Sequence, residues 1–233
     1  MIPLHDDNPT EIVPVVTVAF IAACVLVFLW QMGLGSRGNE VAVMALGVIP
    51  AVLLHKAELP PELALVPSYL TPFTSMFLHG GVMHLAGNML YLWIFGNNVE
   101  DSMGHVRFVI FYLLCGIAAV FGQVMQNPGS EIPMIGASGA ISGVLGAYLL
   151  LYPRARVLVA IPLGFFMHTM RLPAAAVLGL WFVMQIFSSL VAGTGPGVAW
   201  FAHIGGFIAG LALILIFRRR NVRLLNPARR SWG

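Results

Sequence analysis

The sequence predicts an all-α polytopic membrane protein, a bundle of six transmembrane helices with both termini cytoplasmic. Three observations carry that prediction. Of 233 residues, 59% are hydrophobic and 9% charged, against roughly 45–50% apolar and about 25% charged in soluble domains. Charge-free apolar stretches recur at about the length that crosses a hydrocarbon core of roughly 30 Å. The formal net charge is +3, yet the arginines sit at the ends of those stretches and in the tail, which is the pattern of membrane orientation rather than of nucleic-acid binding.

Taken in order, residues 1–12 form an N-terminal tail on the cytoplasmic side. The first apolar run, residues 13–32, follows an acidic start (Asp6, Asp7, Glu11) without a basic leader region, so it is expected to stay as a span and not to be cleaved as a signal peptide. Residues 33–79 form a long extracytoplasmic first loop, whose apolar part at 41–54 is expected to fold onto the membrane surface. Further spans are expected at 80–97, 107–126, 136–152, 172–191 and 199–217. The apolar stretch 157–170 is short, contains Pro162 and Gly164, and is bracketed by Arg154, Arg156 and Arg171. It fits an interfacial segment better than a seventh crossing.

Six crossings put both termini on one side, together with ten of the twelve basic residues, and leave Arg37 and Lys56 on the other. By the positive-inside rule that side is the cytoplasm. The whole is one membrane domain, 13–217, followed by a basic cytoplasmic tail, 218–233. The two cysteines, Cys24 and Cys115, lie inside apolar runs and are expected to pack there; they do not suggest a disulfide framework or a zinc cluster. The absence of a transit peptide favours a bacterial plasma membrane.

Polar side chains are costly in hydrocarbon, so each one in a span is a functional hypothesis. Here they cluster. His79, His84 and Asn88 open the second span, Ser138 opens the fourth, and His203 lies early in the sixth. Alternate spans run in the same direction, so all five residues fall at similar depth near the extracytoplasmic face. Gly139 and Gly143, like Gly206 and Gly210, have the small-xxx-small spacing that lets helix backbones approach closely. Such closeness would let a histidine take the proton of a serine hydroxyl, which needs a base within about 2.6–3.2 Å to become a nucleophile. His84 and Asn88 are four residues apart and share a helix face. With the backbone N–H of Ser138 at a helix start, they could stabilise an oxyanion. No Asp or Glu falls within the six windows, so the arrangement suggests a Ser-His dyad, with Glu131 in the preceding loop as the nearest candidate third member.

The ordered set His79-x4-His84-x3-Asn88, then Gly136-Ala137-Ser138-Gly139, then Ala202-His203-Ile204-Gly205-Gly206 resembles the rhomboid family of intramembrane serine proteases. The resemblance implies a six-helix rhomboid-like bundle with Ser138 as nucleophile, His203 as general base and His84 and Asn88 serving the oxyanion. Gly136, Gly139 and Gly206 would be structural neighbours of the site, and His79 would shape the first loop. The family cuts transmembrane protein substrates with water admitted from the extracytoplasmic side and needs no cofactor; the implied partners are such substrates and membrane lipids, with no metal and no nucleic acid. This sequence departs from the family at two points. Tyr69-Leu70-Thr71-Pro72-Phe73 stands where many members carry a Trp-Arg pair, and Ser142 stands where an aromatic often lies beneath the base. The orientation of His203 must then come from elsewhere, with Trp200 and Phe201 as nearby packing groups.

Plainer readings compete. Serine in a membrane helix usually permits close contact, and His84, Asn88 or His203 could each be an interhelical hydrogen-bonding residue. His105 and His168 look interfacial, while His5 and His55 suggest no role. A zinc protease would want His-Glu-x-x-His, an aspartyl type two acids in spans, and a Ser-Lys dyad would have to use Lys56 in the first loop; the sequence offers none of these. A metal held by His79, His84 and His203 is disfavoured by the five-residue spacing of the first two. Ala140 removes the soluble Gly-x-Ser-x-Gly elbow. The alternatives from other classes are a catalytically inactive rhomboid-like protein that binds membrane helices and a small-solute transporter; the latter is weakened by the missing membrane acids and inverted repeats.

Overall fold

Within a bilayer every backbone N–H and C=O must be satisfied inside the chain, which turns apolar stretches into helices. The computed structural model describes residues 1–164, 166–191 and 197–226. In it α1 (Val15–Gly33) leads into three short helices of the first loop: α2 (Gly35–Leu46), α3 (Pro50–Leu53) and α4 (Thr71–Thr74). Then follow α5 (Val82–Met103), α6 (His105–Gln126), α7 (Ser138–Leu151), α8 (Ala174–Val191) and α9 (Trp200–Phe217). A helix therefore occupies each of the six apolar windows. Among the described residues four of them, α1, α6, α8 and α9, are long and apolar enough to cross a membrane, and large side chains such as Leu26, Leu29, Phe187, Leu190 and Ile216 face outward from them. The chain is an integral membrane protein.

The other two helices differ for identifiable reasons. α7 has 14 residues and is buried along nearly its whole length, because its neighbours rather than lipid surround it. α6, α7 and α9 meet through glycine. A Cβ on Gly206 would collide with the carbonyl of Gly139, one on Gly210 with the carbonyl of Gly143, and one on Gly143 with Cys115 Sγ. Cys24 and Cys115 are both buried, as their apolar surroundings suggested. α5 runs on past the expected window to Met103 and stops at Gly104, whose φ of 83° suits glycine. Its last turns hold Glu100 and Asp101, acids that the apolar reading placed outside the spans. Glu100 is fully buried and accepts hydrogen bonds from Val16 N (2.9 Å), Thr17 N (2.8 Å) and Thr17 Oγ1 (2.6 Å). A carboxylate thus caps the first turn of α1, where the helix dipole favours negative charge. The helix is set by this partner on another segment, which local hydropathy does not see.

The expectation of an all-α protein is corrected. β1 (Ile2–Asp6), β2 (Arg156–Leu163) and β3 (Phe166–Pro173) form an antiparallel sheet in the order β1-β2-β3. The segment expected to be interfacial is a hairpin that turns at Gly164, and the expected N-terminal tail supplies the third strand. A short apolar run does not declare itself helix or strand by periodicity, and here its pairing partner lies some 150 residues away in sequence. Asp7 N donates to Arg156 O (3.0 Å), Asn98 Nδ2 to Asn8 O (2.7 Å) and Tyr148 Oη to Asp6 Oδ2 (2.5 Å). The described part of the C-terminal tail also folds back, Arg219 N onto Ser102 O (2.9 Å) and Leu225 N onto Leu150 O (2.8 Å); residues 227–233 lie outside the described residues. Both described ends of the chain therefore gather at the C-terminal end of α7, opposite Ser138.

Candidate active site

The first loop packs against α6 and the segment that leads into α7, with Ala51 N donating to Ser130 O (3.0 Å) and Gly136 N to Ser75 O (2.8 Å). Val48 and Met134 exchange backbone hydrogen bonds (3.0 and 2.8 Å), and Thr74 Oγ1 donates to Leu46 O (2.6 Å). The stretch at Tyr69–Phe73 forms a 3-10 turn and α4, with Thr71 and Pro72 buried. His79 is buried; its N–H donates to Gln31 Oε1 (2.9 Å), its carbonyl accepts from Gln31 Nε2 (3.2 Å), and its Nδ1 meets Phe77 O (3.2 Å). It ties the loop to α1, and its ring packs edge-on against His84 at 5.2 Å.

Ser138 is the first residue of α7 and His203 lies in the first turn of α9. The glycine-mediated approach of these two helices leaves His203 Nε2 2.8 Å from Ser138 Oγ. On the far side of the ring, Nδ1 lies 2.8 Å from Gln185 Oε1 of α8. Gln185 Nε2 donates to Trp181 O (3.1 Å), which turns the amide oxygen toward the imidazole. With the proton on Nδ1, the Nε2 lone pair would face the serine hydroxyl.

Two indoles flank the ring. Trp181 lies 5.9 Å from it at 34°, and Trp200 lies 6.0 Å away, edge-on at 89°. Ser142 does not contact the imidazole through an aromatic face; its hydroxyl returns to Ser138 O (2.6 Å). The sequence points to Trp200 beside His203, but not to Trp181 or Gln185. Gln185 carries the signal that picked out the others, since it is the one amide in the fifth apolar window. Glu131 lies exposed in its loop, and His105 Nδ1 lies 2.6 Å from Glu100 at the other end of the molecule.

Gly136, two residues before Ser138, has a φ of 122°, a conformation that favours glycine. Space requires glycine there too: a Cβ would stand 2.8 Å from His84 Cε1 and Nε2 and 3.7 Å from Asn88 Nδ2. His84 Nδ1 accepts from Gly80 N (3.3 Å), so Nε2 bears the proton and is a donor. Asn88 Nδ2 is buried and makes no hydrogen bond among the described residues. Two N–H donors thus converge beside the backbone that leads into Ser138. They line a cavity of about 1200 Å³ that also exposes Ser138, His203 and Gln185, with walls from α5 and α8.

The family model described as Rhomboid domain matches residues 67–220. The chain is 34% identical over 146 residues to RHOMBOID-like protein 1 of Arabidopsis thaliana, covering 62% of this chain and 33% of that one. It is 35% identical over 136 residues to Rhomboid protease GluP of Bacillus subtilis, covering 58% and 24%. To Rhomboid protein 1, mitochondrial, of Saccharomyces cerevisiae it is 33% identical over 128 residues, covering 52% and 37%. The matched region is less than half the length of each of these relatives. With two thirds of its residues inside the matched domain, this chain belongs to the rhomboid family.

Proposed function

We propose that the chain is an intramembrane serine endopeptidase that hydrolyses peptide bonds in or near transmembrane segments of membrane-protein substrates through a Ser138–His203 dyad. The observation that carries this reading is the 2.8 Å separation of His203 Nε2 from Ser138 Oγ inside a cavity that also presents a buried, unpartnered amide donor. The name of the Bacillus relative, a rhomboid protease, agrees with it.

In this mechanism the substrate's segment reaches the cavity between α5 and α8 and unwinds locally. His203 Nε2 takes the hydroxyl proton as Ser138 Oγ forms a bond to the scissile carbonyl carbon. The carbonyl oxygen becomes an oxyanion, which Asn88 Nδ2, His84 Nε2 and the Ser138 backbone N–H stabilise. The C–N bond breaks as His203 returns its proton to the leaving amine. A water, deprotonated by His203 in turn, then hydrolyses the acyl ester and restores Ser138. Six crossings with cytoplasmic termini, as the positive-inside rule requires, put this cavity at the extracytoplasmic face and the sheet in the cytoplasm.

Labelling of the detergent-solubilised protein with a fluorophosphonate tests the reading. The wild type is expected to label, and Ser138→Ala and His203→Ala are not. Equal labelling of all three removes the assignment; absence of labelling in all three favours the helix-binding, inactive alternative.

A further inference from the structure

We infer that Gln185 of α8 is a positioning residue that holds His203 in the one tautomer able to act as a base toward Ser138. The inference rests on the dyad reading above and names the part that reading lacks, a partner for the outer nitrogen of the imidazole.

Three observations converge on it. Gln185 is 7% exposed, while the side chains around it on α8, such as Met184, Ile186 and Phe187, face outward. A buried amide is costly unless both its ends are satisfied, and here both are. Its Nε2 donates to Trp181 O at 3.1 Å, and its Oε1 faces His203 Nδ1 at 2.8 Å. The first bond decides the second. An amide that donates to a main-chain carbonyl can only turn its oxygen to the ring, and an oxygen can only accept, so the ring proton sits on Nδ1. The other nitrogen is left as the acceptor for Ser138 Oγ at 2.8 Å. A neutral imidazole has one donor and one acceptor nitrogen, and the partner of one fixes the role of the other.

The third observation concerns the face of the ring. Ser142 directs its hydroxyl to Ser138 O, so α7 supplies no aromatic platform. The tilted indole of Trp181 lies 5.9 Å from the imidazole instead. Trp181 and Gln185 are one helical turn apart on α8, and together they restrain the ring by a face and by an edge. A purely structural role, in which Gln185 only fastens α8 to α9, would use the same hydrogen bond; the two roles differ in what happens to the ring when the bond is removed.

The test compares wild type, Gln185→Leu, Gln185→Glu and Ser138→Ala in detergent micelles by two readouts. The first is the fluorophosphonate labelling reaction, separated into its maximal rate and its half-saturating probe concentration. Gln185→Leu is expected to lower the maximal rate about 10- to 100-fold, by analogy with losing the outer partner of a metal-bound histidine, with half-saturation unchanged. Gln185→Glu offers an oxygen at the same reach and is expected to stay within about threefold of wild type. The second readout is nitrogen-15 NMR of the histidine rings, with the His203 signal assigned by its loss in His203→Ala. Wild type, Gln185→Glu and Ser138→Ala should show His203 protonated at Nδ1, and Gln185→Leu should lose that single tautomer. A Gln185→Leu protein that labels at the wild-type rate, or keeps the Nδ1 proton, overturns the inference. Should the leucine variant not fold, Gln185→Met, unbranched and of similar length, takes its place. Failure of the dyad reading shows separately, as labelling that survives Ser138→Ala, while the ring spectrum still decides the role of Gln185.

Discussion

Asn88 holds a buried amide whose Nδ2 has no hydrogen-bond partner among the described residues. An orphaned donor is a stability cost in the resting molecule, so its removal should disturb the fold little. It should disturb catalysis much more, because a donor aimed at a developing oxyanion contributes mainly in the transition state. Asn88→Ala is accordingly expected to reduce the Ser138-dependent rate by about 10²- to 10³-fold while moving the thermal midpoint in detergent by no more than a few degrees. A variant that unfolds, yet reacts at the wild-type rate per folded molecule, would remove the oxyanion role. This residue was legible in the sequence because it sits four positions from His84 within an apolar window. Gln185 was equally visible by that criterion; it went unread because a lone amide, without a motif around it, suggests nothing until α8 is placed against α9. The tilt of Trp181 against the imidazole was not legible at all, since hydropathy counts a tryptophan in a span as another apolar residue.

At the scale of elements, the α7–α9 pair decides whether Ser138 and His203 meet. Gly210 lies two turns beyond His203 and faces the backbone of Gly143, where a Cβ would collide with the carbonyl oxygen, carbonyl carbon and Cα. Backbone atoms cannot rotate aside as a side chain can. Gly210→Ala is therefore expected to push the two helices apart at a cost of about 1–3 kcal/mol, lowering the thermal midpoint and the labelling rate together. Gly179 on α8 offers the contrast, for nothing among the described residues lies within 4 Å of its would-be Cβ. Gly179→Ala should leave labelling unchanged and hold or raise the thermal midpoint, since alanine exceeds glycine in helix propensity by about 1 kcal/mol. If both substitutions behaved alike, the close approach would not be what positions the site. The small-xxx-small spacing announced this contact from the sequence. It could not announce α6 as the third party, whose Cys115 and Ala119 pack into the spaces left at Gly143 and Gly139. α8 has a double part: it walls the cavity and carries both Gln185 and Trp181, so the seat of the base depends on the seat of that helix.

Across the whole molecule, the helical windows were legible because hydrocarbon leaves a chain few alternatives to helix. The sheet at the opposite end was not, because β1 and β2 are joined by pairing that spans most of the chain. That end is fastened by Asp6, which is buried and receives the hydroxyl of Tyr148 at 2.5 Å. Burial outweighs the Tyr148 hydrogen bond and His5, which lower the Asp6 carboxyl, and with a smaller push from the neighbouring Asp7 leaves it raised from its ordinary 3.8 to about 6. The sign follows. A carboxyl whose folded value exceeds its unfolded value favours the fold when neutral, so its contribution is full below about 3.8 and is lost as pH rises through about 6. The size is at most about 3 kcal/mol, taking 1.36 kcal/mol for each unit of difference. Asp6→Asn is neutral at every pH and keeps an oxygen that can accept from Tyr148. Thermal melts in detergent, run for both proteins at pH 5 and pH 7.5, should show wild type losing stability relative to Asp6→Asn as pH rises. Groups elsewhere titrate alike in the two proteins and cancel in the difference. A constant difference between the two pH values would mean that Asp6 is not the buried, proton-holding link between the N-terminal strand and α7. Labelling at Ser138 should follow the melting behaviour and show no separate dependence on Asp6, because the whole length of α7 separates the two sites.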